Sequence, residues 1–491
     1  MNMDFLDPRN KRSYNIRLSI GFLLSALIII LGTLILAYIT AGYTIDTKTG
    51  QVVQNGLIFI NSTPVSANIY LNHQYTATTN SRLELRAGNY NLSLSTSGYD
   101  TWSTNVYLLG GDVDELTYPL LVPSKPIVST IAKYSTKPQV FTQTPDKHWL
   151  LVSSTTQANS FDIYDQTNTK TAVDTATIPS NLLVSSTATN SFTVVQWASD
   201  SQYVLLKDES GGVINYIVFN YLTPANSYNV NQTFSVSFNT VKLLNAQYDK
   251  PLLFDQTSGN LYLGDFGTKQ ASLILSKVID YVSYSTNKFL FVTDDSSDSR
   301  LSSIEFSNLV DKTYLVKNVN ETSKYMLNIS SYGGNYYYLI GGGGVYDYVY
   351  RNLPSQPKPN KLPLPYTLIV SNSQPQNVSN SGGQRYIALQ SGNNFSVYDI
   401  QTQDHYRYTL SSNLSDPNFA SWIDDNRFIS FSSGKMIIFD FDGTNIFNIA
   451  KADNSFDGLF SPNFNAVYFL NYSSANNDWI VNRAGMIANQ S

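Results

Sequence analysis

A chain of 491 residues is too long for one small core, and its length predicts a modular protein of about three domains. Aromatic residues make up 13% and charged residues 14%, which supplies apolar material for large cores and argues against disorder. A net charge of −5 and the lack of any cysteine exclude broad attraction to nucleic acid, a disulfide framework, thiol catalysis and a cysteine-based metal site.

From Leu18 to Thr40 the sequence LSIGFLLSALIIILGTLILAYIT carries no charge over 23 residues. Such a helix, rising about 1.5 Å per residue, is about 35 Å long and crosses a hydrocarbon core of about 30 Å with some tilt. The rival reading is a cleaved signal peptide, whose apolar region runs only about 7–15 residues. The following ITAGYTIDT is also a poor small-x-small cleavage site. Arg9, Lys11, Arg12 and Arg17 precede the run, whereas Asp46 and Lys48 follow it. The excess of positive charge before the run places residues 1–17 in the cytoplasm as a tail, 18–40 across the cell membrane as a single-pass anchor, and everything beyond about Gly42 outside. Residues 41–55 read as a linker. Later apolar runs such as MIIFDF are strand-sized.

Residues 56–122 alternate short apolar segments (Ile58–Ile60, Ile69–Leu71, Leu83–Leu85, Tyr90–Leu94) with Asn, Pro and Gly turn signals, the pattern of a small all-β module. The stretch resembles the PEGA domain of bacterial and archaeal surface proteins. Pro64, Ala67, Ile69, Tyr70, Leu85, Gly88, Tyr90, Gly98 and Tyr99 fall in register with its pattern, while Val65 and Ser66 stand in place of its acidic residue and glycine. The resemblance implies a β-sandwich-like fold and a packing or spacer module. Gly88 and Gly98 suit turns needing positive φ, and Tyr70, Tyr90 and Tyr99 suit core edges with wet hydroxyls.

Prolines at 119, 123 and 126 stiffen the next stretch, and residues 123–139 read as a second linker. A repeat follows: DKHWLLV, DSQYVLL, DKPLLFD, TNKFLFV, GNYYYLI, GQRYIAL, DNRFISF and FNAVYFL, centred on Trp149, Tyr203, Leu252, Phe289, Tyr337, Tyr386, Phe428 and Val467 at spacings of 37–54 residues. Most units continue into a second strand, as in FDIYDQTNT, NLYLGDFGT or MIIFDFDGTN. A period of about 40–50 residues built of strands is the signature of a β-propeller with one four-stranded sheet per unit. TPDKHWLLV…FDIYDQ and FDFDGTN resemble blades of the propellers related to periplasmic TolB and to WD40 repeats. Residues 140–491 therefore read as a propeller of eight blades, or of seven with one unit split or irregular, because a propeller commonly shares one blade between both chain ends.

Linear motifs give little chemistry. His73, His148 and His405 lie far apart in the sequence, and no Gly-x-Ser-x-Gly, His-Glu-x-x-His or P-loop occurs. Gly341–Gly344 reads as a tight turn, because the Lys-Ser/Thr of a phosphate loop is missing. DFDGTN (Asp440–Asn445) reads as a hairpin turn with Asp442-Gly443 at its tip, or as half of a calcium loop whose twelfth position is Lys451 rather than an acid. TDDSSDSR (Thr293–Arg300) reads as a solvated loop or a weak ion site. No catalytic, cofactor or metal residues are assigned. RNLPSQPKPNKLPLPYTLIV, with five prolines, reads as a projecting connection between the fifth and sixth units. Its Arg351, Lys358 and Lys361 are the candidate partner-binding residues on an otherwise acidic chain.

Two function classes remain. One is a membrane-anchored extracytoplasmic binding or scaffold protein of the cell envelope, in which the propeller presents a surface to an envelope protein or to cell-wall polysaccharide. The other is an envelope hydrolase or lyase with a site on the propeller channel, where convergent Asp, Glu, Arg and His favour an enzyme, whereas Ser, Thr, Asn and aromatics favour binding. Protease added outside intact cells is expected to remove everything beyond about Gly42. Survival of both the 56–122 module and the repeats, while a known external protein is digested, reverses the orientation.

Overall fold

The computed structural model describes residues 8–45, 50–154, 159–167, 174–185, 190–293, 301–320, 325–341, 344–356, 361–414 and 419–488. Residues up to Ser124 form one compact unit and Lys125–Asn489 another.

In the first unit α1 (Pro8–Thr40) contains a stretch, Ser13–Thr40, of 28 residues that is long and apolar enough to cross a membrane. Its large apolar side chains are exposed on all faces, so no protein core accounts for its composition. The same length and composition suit a membrane anchor or a signal sequence. The chain then reverses at Gly42 (φ +81°), where a Cβ would lie 2.4 Å from the Asn55 carbonyl oxygen, a closeness that only glycine permits.

Two four-stranded sheets follow. In the first, β1 (Tyr43–Ile45), β2 (Val52–Ile60) and β5 (Ser81–Arg86) pair antiparallel, and β8 (Val113–Leu116) lies parallel to β2. In the second the order is β4 (Gln74–Thr78), β3 (Asn68–Leu71), β6 (Gly88–Ser95), β7 (Trp102–Leu108). Alternation along β2, β3 and β6 buries Ile58, Ile60, Ile69, Leu92 and Leu94 together with Trp102, which makes this a sandwich. Residues 41–55, read above as a linker, carry β1 and the start of β2; these segments are too short and polar to show a period. Gly98 has φ +82°, but Gly88 does not share that conformation and instead opens β6 opposite Leu108.

The second unit is a β-propeller of eight four-stranded antiparallel sheets. Sheets one to seven are simple meanders, and each repeat residue named above begins or lies in the second strand of its sheet. Sheet eight has three strands from the chain's end and takes its fourth from β9 (Val128–Tyr134), which pairs with Asp478–Gly485. β9 lies within 123–139, so this part of the expected linker belongs to the propeller; prolines at 123 and 126 masked a strand that starts two residues later. Apolar clusters join neighbouring sheets: Phe161 with Phe192 and Phe219, Tyr203 with Leu253, Phe254 with Phe289, Ile304 with Tyr338, and Leu339 with Tyr398. Tyr386 and Phe395 pack on Trp422, Phe428, Phe439 and Phe441 between sheets six and seven.

The proline-rich segment is also relocated. It joins Tyr346–Arg351 to Thr367–Val370, the third and fourth strands of sheet five, and does not cross between sheets. Proline cannot continue a ladder, so it lengthens this loop without revealing which strands the loop connects.

Phe395 is 1% exposed and lies 5.2 Å from the Tyr408 ring and 5.5 Å from those of Phe428 and Phe439. Phe395→Ala is expected to cost about 3–5 kcal/mol, measured as a lower midpoint of urea unfolding. A change below about 1 kcal/mol would show that this interface does not hold the ring together.

Candidate ligand-binding site

The first strands of successive sheets face the propeller axis, and polar side chains tie them to one another. Trp197 Nε1 donates to Thr142 Oγ1 (2.9 Å) between sheets two and one, and Gln196 bonds the Leu243 backbone between two and three. Asn328 and Asn380 link five to six, and Trp422 Nε1 donates to Ser379 Oγ (3.0 Å) from seven to six. Ser421 Oγ donates to Asp457 Oδ2 (2.5 Å) from seven to eight. Asn, Ser, Thr and Gln serve here because each offers short, neutral hydrogen-bonding groups that satisfy a partner without burying a charge.

Sheets six, seven, eight and one together line a cavity of about 800 Å3. Its polar wall is Thr142, Asn377, Ser379, Asn380, Ser421 and Ser455, and its aromatic wall is Phe141, Phe419, Trp422 and Phe456. Among the described residues, Asp457 is the one ionisable side chain lining it. Burial raises its pKa above the usual carboxylate range, and the bond from Ser421 opposes that rise. Phe419 stays 37% exposed.

Phe141, Phe419 and Ser455–Asp457 lie at the starts of the first strands, whereas the turns after those strands meet at the other end of the channel. There Lys147 of sheet one donates from Nζ to the Ile423 carbonyl of sheet seven (2.7 Å) and lies 4.6 Å from the centre of the Phe464 ring of sheet eight. Arg427 pairs with Asp424 and also faces Phe464, 5.9 Å away. Burial lowers the Lys147 pKa, partly offset by Asp424. Three sheets are thus cross-linked over that end, and Asp425 accepts from the Gly383 N–H of sheet six.

The sequence-based candidates lie elsewhere. Arg351 is exposed, donates to Asn335 Oδ1 (3.1 Å) and sits over the Tyr366 ring (5.4 Å). Lys361 is exposed beside a pocket of about 360 Å3 that also involves Arg351 and Leu364, and Lys358 lies outside the described residues. His73 is an exposed turn residue, His148 stacks on Trp149 and lies 3.4 Å from Asp165, and His405 lies against Tyr398. Among the described residues no group of three His, Asp or Glu is placed to hold a metal. DFDGTN forms a turn, with Gly443 N–H bonded to the Asp440 carbonyl (2.9 Å). Gly341 ends one strand of a hairpin in sheet five, with residues 342–343 outside the described residues; of TDDSSDSR only Thr293 is described. The cavity residues were missed because none belongs to a linear motif; the signal available was the position just before or within the first strand of each repeat.

The PEGA domain family matches residues 55–121. Among curated proteins, none matches the chain. Solved structures similar to it include the dipeptidyl peptidase 4 of Porphyromonas gingivalis (12% identity, TM-score 0.46, covering 72% of this chain and 58% of that one). The Dos1 propeller is similar at 12% identity and a TM-score of 0.44, covering 74% and 95%. An oligogalacturonate lyase in complex with manganese is similar at 9% identity and a TM-score of 0.39, covering 74% and 98%.

Away from the channel, Asp347 is fully buried beside Gly341, its carboxyl oxygens have no partner among the described residues, and burial pushes its pKa up to about 7. The folded state holds this proton more tightly than the unfolded state, so stability falls as pH rises from about 3.8 through about 7. The slope for this one group reaches about 1.4 kcal/mol per pH unit. Asp347→Asn is expected to flatten that part of the Tm-against-pH profile; an unchanged slope means that the carboxyl does not titrate there.

Proposed function

We propose that the chain is a membrane-anchored, extracytoplasmic binding protein of the cell envelope, whose propeller takes a hydroxyl-rich ligand, such as a cell-wall polysaccharide segment, in the cavity formed by sheets six, seven, eight and one. The observation that carries this reading is the described lining: Ser, Thr and Asn interleaved with Phe and Trp beside the Asp457 carboxyl group. Aromatic faces beside short hydrogen-bonding groups suit a ligand with alternating C–H faces and hydroxyls. The apolar run of α1, the basic residues that precede that run and the PEGA match support the envelope location. The alternative, a hydrolase or lyase, draws on Asp457. Glycoside hydrolysis by the usual route needs two carboxyl groups about 5–10 Å apart, and the described lining supplies one.

Co-sedimentation of the detergent-solubilised chain with purified cell-wall polysaccharide tests the reading. Phe419→Ala is expected to weaken retention about tenfold, in line with about 1–1.5 kcal/mol for an aromatic contact. Retention unaffected by Phe419→Ala and by Ser455→Ala places binding elsewhere; release of soluble fragments that stops in Asp457→Asn favours the enzyme.

A further inference from the structure

The last turns of α1 and the first two strands enclose an apolar groove of about 540 Å3, lined by Leu34, Ile35 and Ile39 of the helix and by Tyr43, Ile45 and Val52 of the hairpin. Because the chain reverses at Gly42, β1 runs back along the helix that precedes it. The joint is fixed: Gln54 Nε2 donates to the Ala41 carbonyl (2.9 Å), Asn55 N–H to the Gly42 carbonyl (2.8 Å) and Gly111 N–H to the Asn55 carbonyl (2.8 Å). Ile45 and Val52 are 66% and 60% exposed and are held at the level of Leu34–Ile39.

That level is defined by the helix. Ser13–Thr40 is 28 residues, about 42 Å at about 1.5 Å per residue, against a hydrocarbon core of about 30 Å, so its last turns reach the boundary between acyl chains and headgroups. Tyr38 and Tyr43, with ring centres 4.6 Å apart, stand where tyrosines concentrate at such boundaries. We propose that this groove takes the acyl chain of a phospholipid from the leaflet into which Thr40 emerges, which seats the β1–β2 hairpin in the membrane interface. The proposal rests on the anchoring reading above. Its occupant follows from continuity, since the groove's helical wall is the same apolar surface that the bilayer covers two turns earlier.

The chain has no cysteine, so single cysteines can be introduced into the full chain and spin-labelled one at a time. The variants are Leu27→Cys in mid-helix, Ile45→Cys and Val52→Cys at the groove, and Tyr75→Cys on β4, a residue 61% exposed. Each is reconstituted in phosphatidylcholine vesicles with a water-soluble nickel chelate on both sides of the bilayer, or with dissolved oxygen. The labels at 45 and 52 are expected to relax with oxygen and to lose the response to chelate, like the label at 27, while the label at 75 keeps it. If 27 is immersed but 45 and 52 respond to chelate as 75 does, the groove is not a lipid site. Shielding of 45 and 52 from both probes indicates a protein contact and also overturns the proposal. Chelate response at 27 means that the anchoring reading has failed and the proposal falls with it.

Discussion

The propeller depends on the pairing of β9 with the last strand of the chain, which runs from Val128 opposite Ala484 to Tyr134 opposite Trp479. Sheet eight has only three strands of its own, so without β9 it would present an unpaired edge. β9 also bonds to the sheet on its other side: Tyr134 Oη lies 2.7 Å from Tyr164 Oη and 2.9 Å from Asp162 Oδ2, both of sheet one. Tyr134 shares one buried cluster with Phe141, Leu150 and Val152 of sheet one and with Tyr468, Leu470 and Val481 of sheet eight. One strand therefore closes a sheet through its backbone and joins that sheet to the first through a side chain. The cavity wall runs across this seam, since Phe141 and Phe456 belong to its two sides. Ring closure is thus a precondition for the site as well as for the fold.

The repeats were legible because their second strands carry uninterrupted apolar runs: WLLV, YVLL and FLFV are buried or nearly so on both faces between neighbouring sheets, and such strands read as continuous hydrophobic stretches. First strands were far less legible. Ser421–Trp422 and Leu459–Phe460 are two residues long, and Asn377–Asn380 is NVSN, because a strand that lines a polar channel on one edge keeps only part of the apolar pattern. β9 was hidden for a different reason, as VSTIAKY pairs with a segment about 350 residues away and carries no local turn to announce it.

The candidate site was hidden by the same geometry. Its wall combines Phe141, Asn377, Phe419 and Asp457, which come from four sheets and are each ordinary in their local sequence. Composition singled out the proline-rich segment of sheet five instead. In the structure that segment is tied to its own surroundings, with Tyr314 Oη donating to the Pro354 carbonyl (2.7 Å). Unusual composition there marks a long loop, whereas the channel is made of common residues that only closure brings together.

The two ends of the channel are built on different principles, and that difference bears on how the proposed ligand would be received. At the turn end, cations are held over one phenyl ring and bonded to a carbonyl and a carboxylate, so three sheets are pinned where they converge. At the open end the polar groups bond to each other between sheets, Trp422 to Ser379 and Ser421 to Asp457. A hydroxyl oxygen that accepts one hydrogen bond still has a proton to donate, and a carboxylate that accepts one has lone pairs left over. The bonds that hold neighbouring sheets in place therefore fix the directions in which the remaining donors and acceptors point. A ligand entering this end meets groups whose orientation is already set by the ring, and it need not itself immobilise them, which lowers the entropy lost on binding.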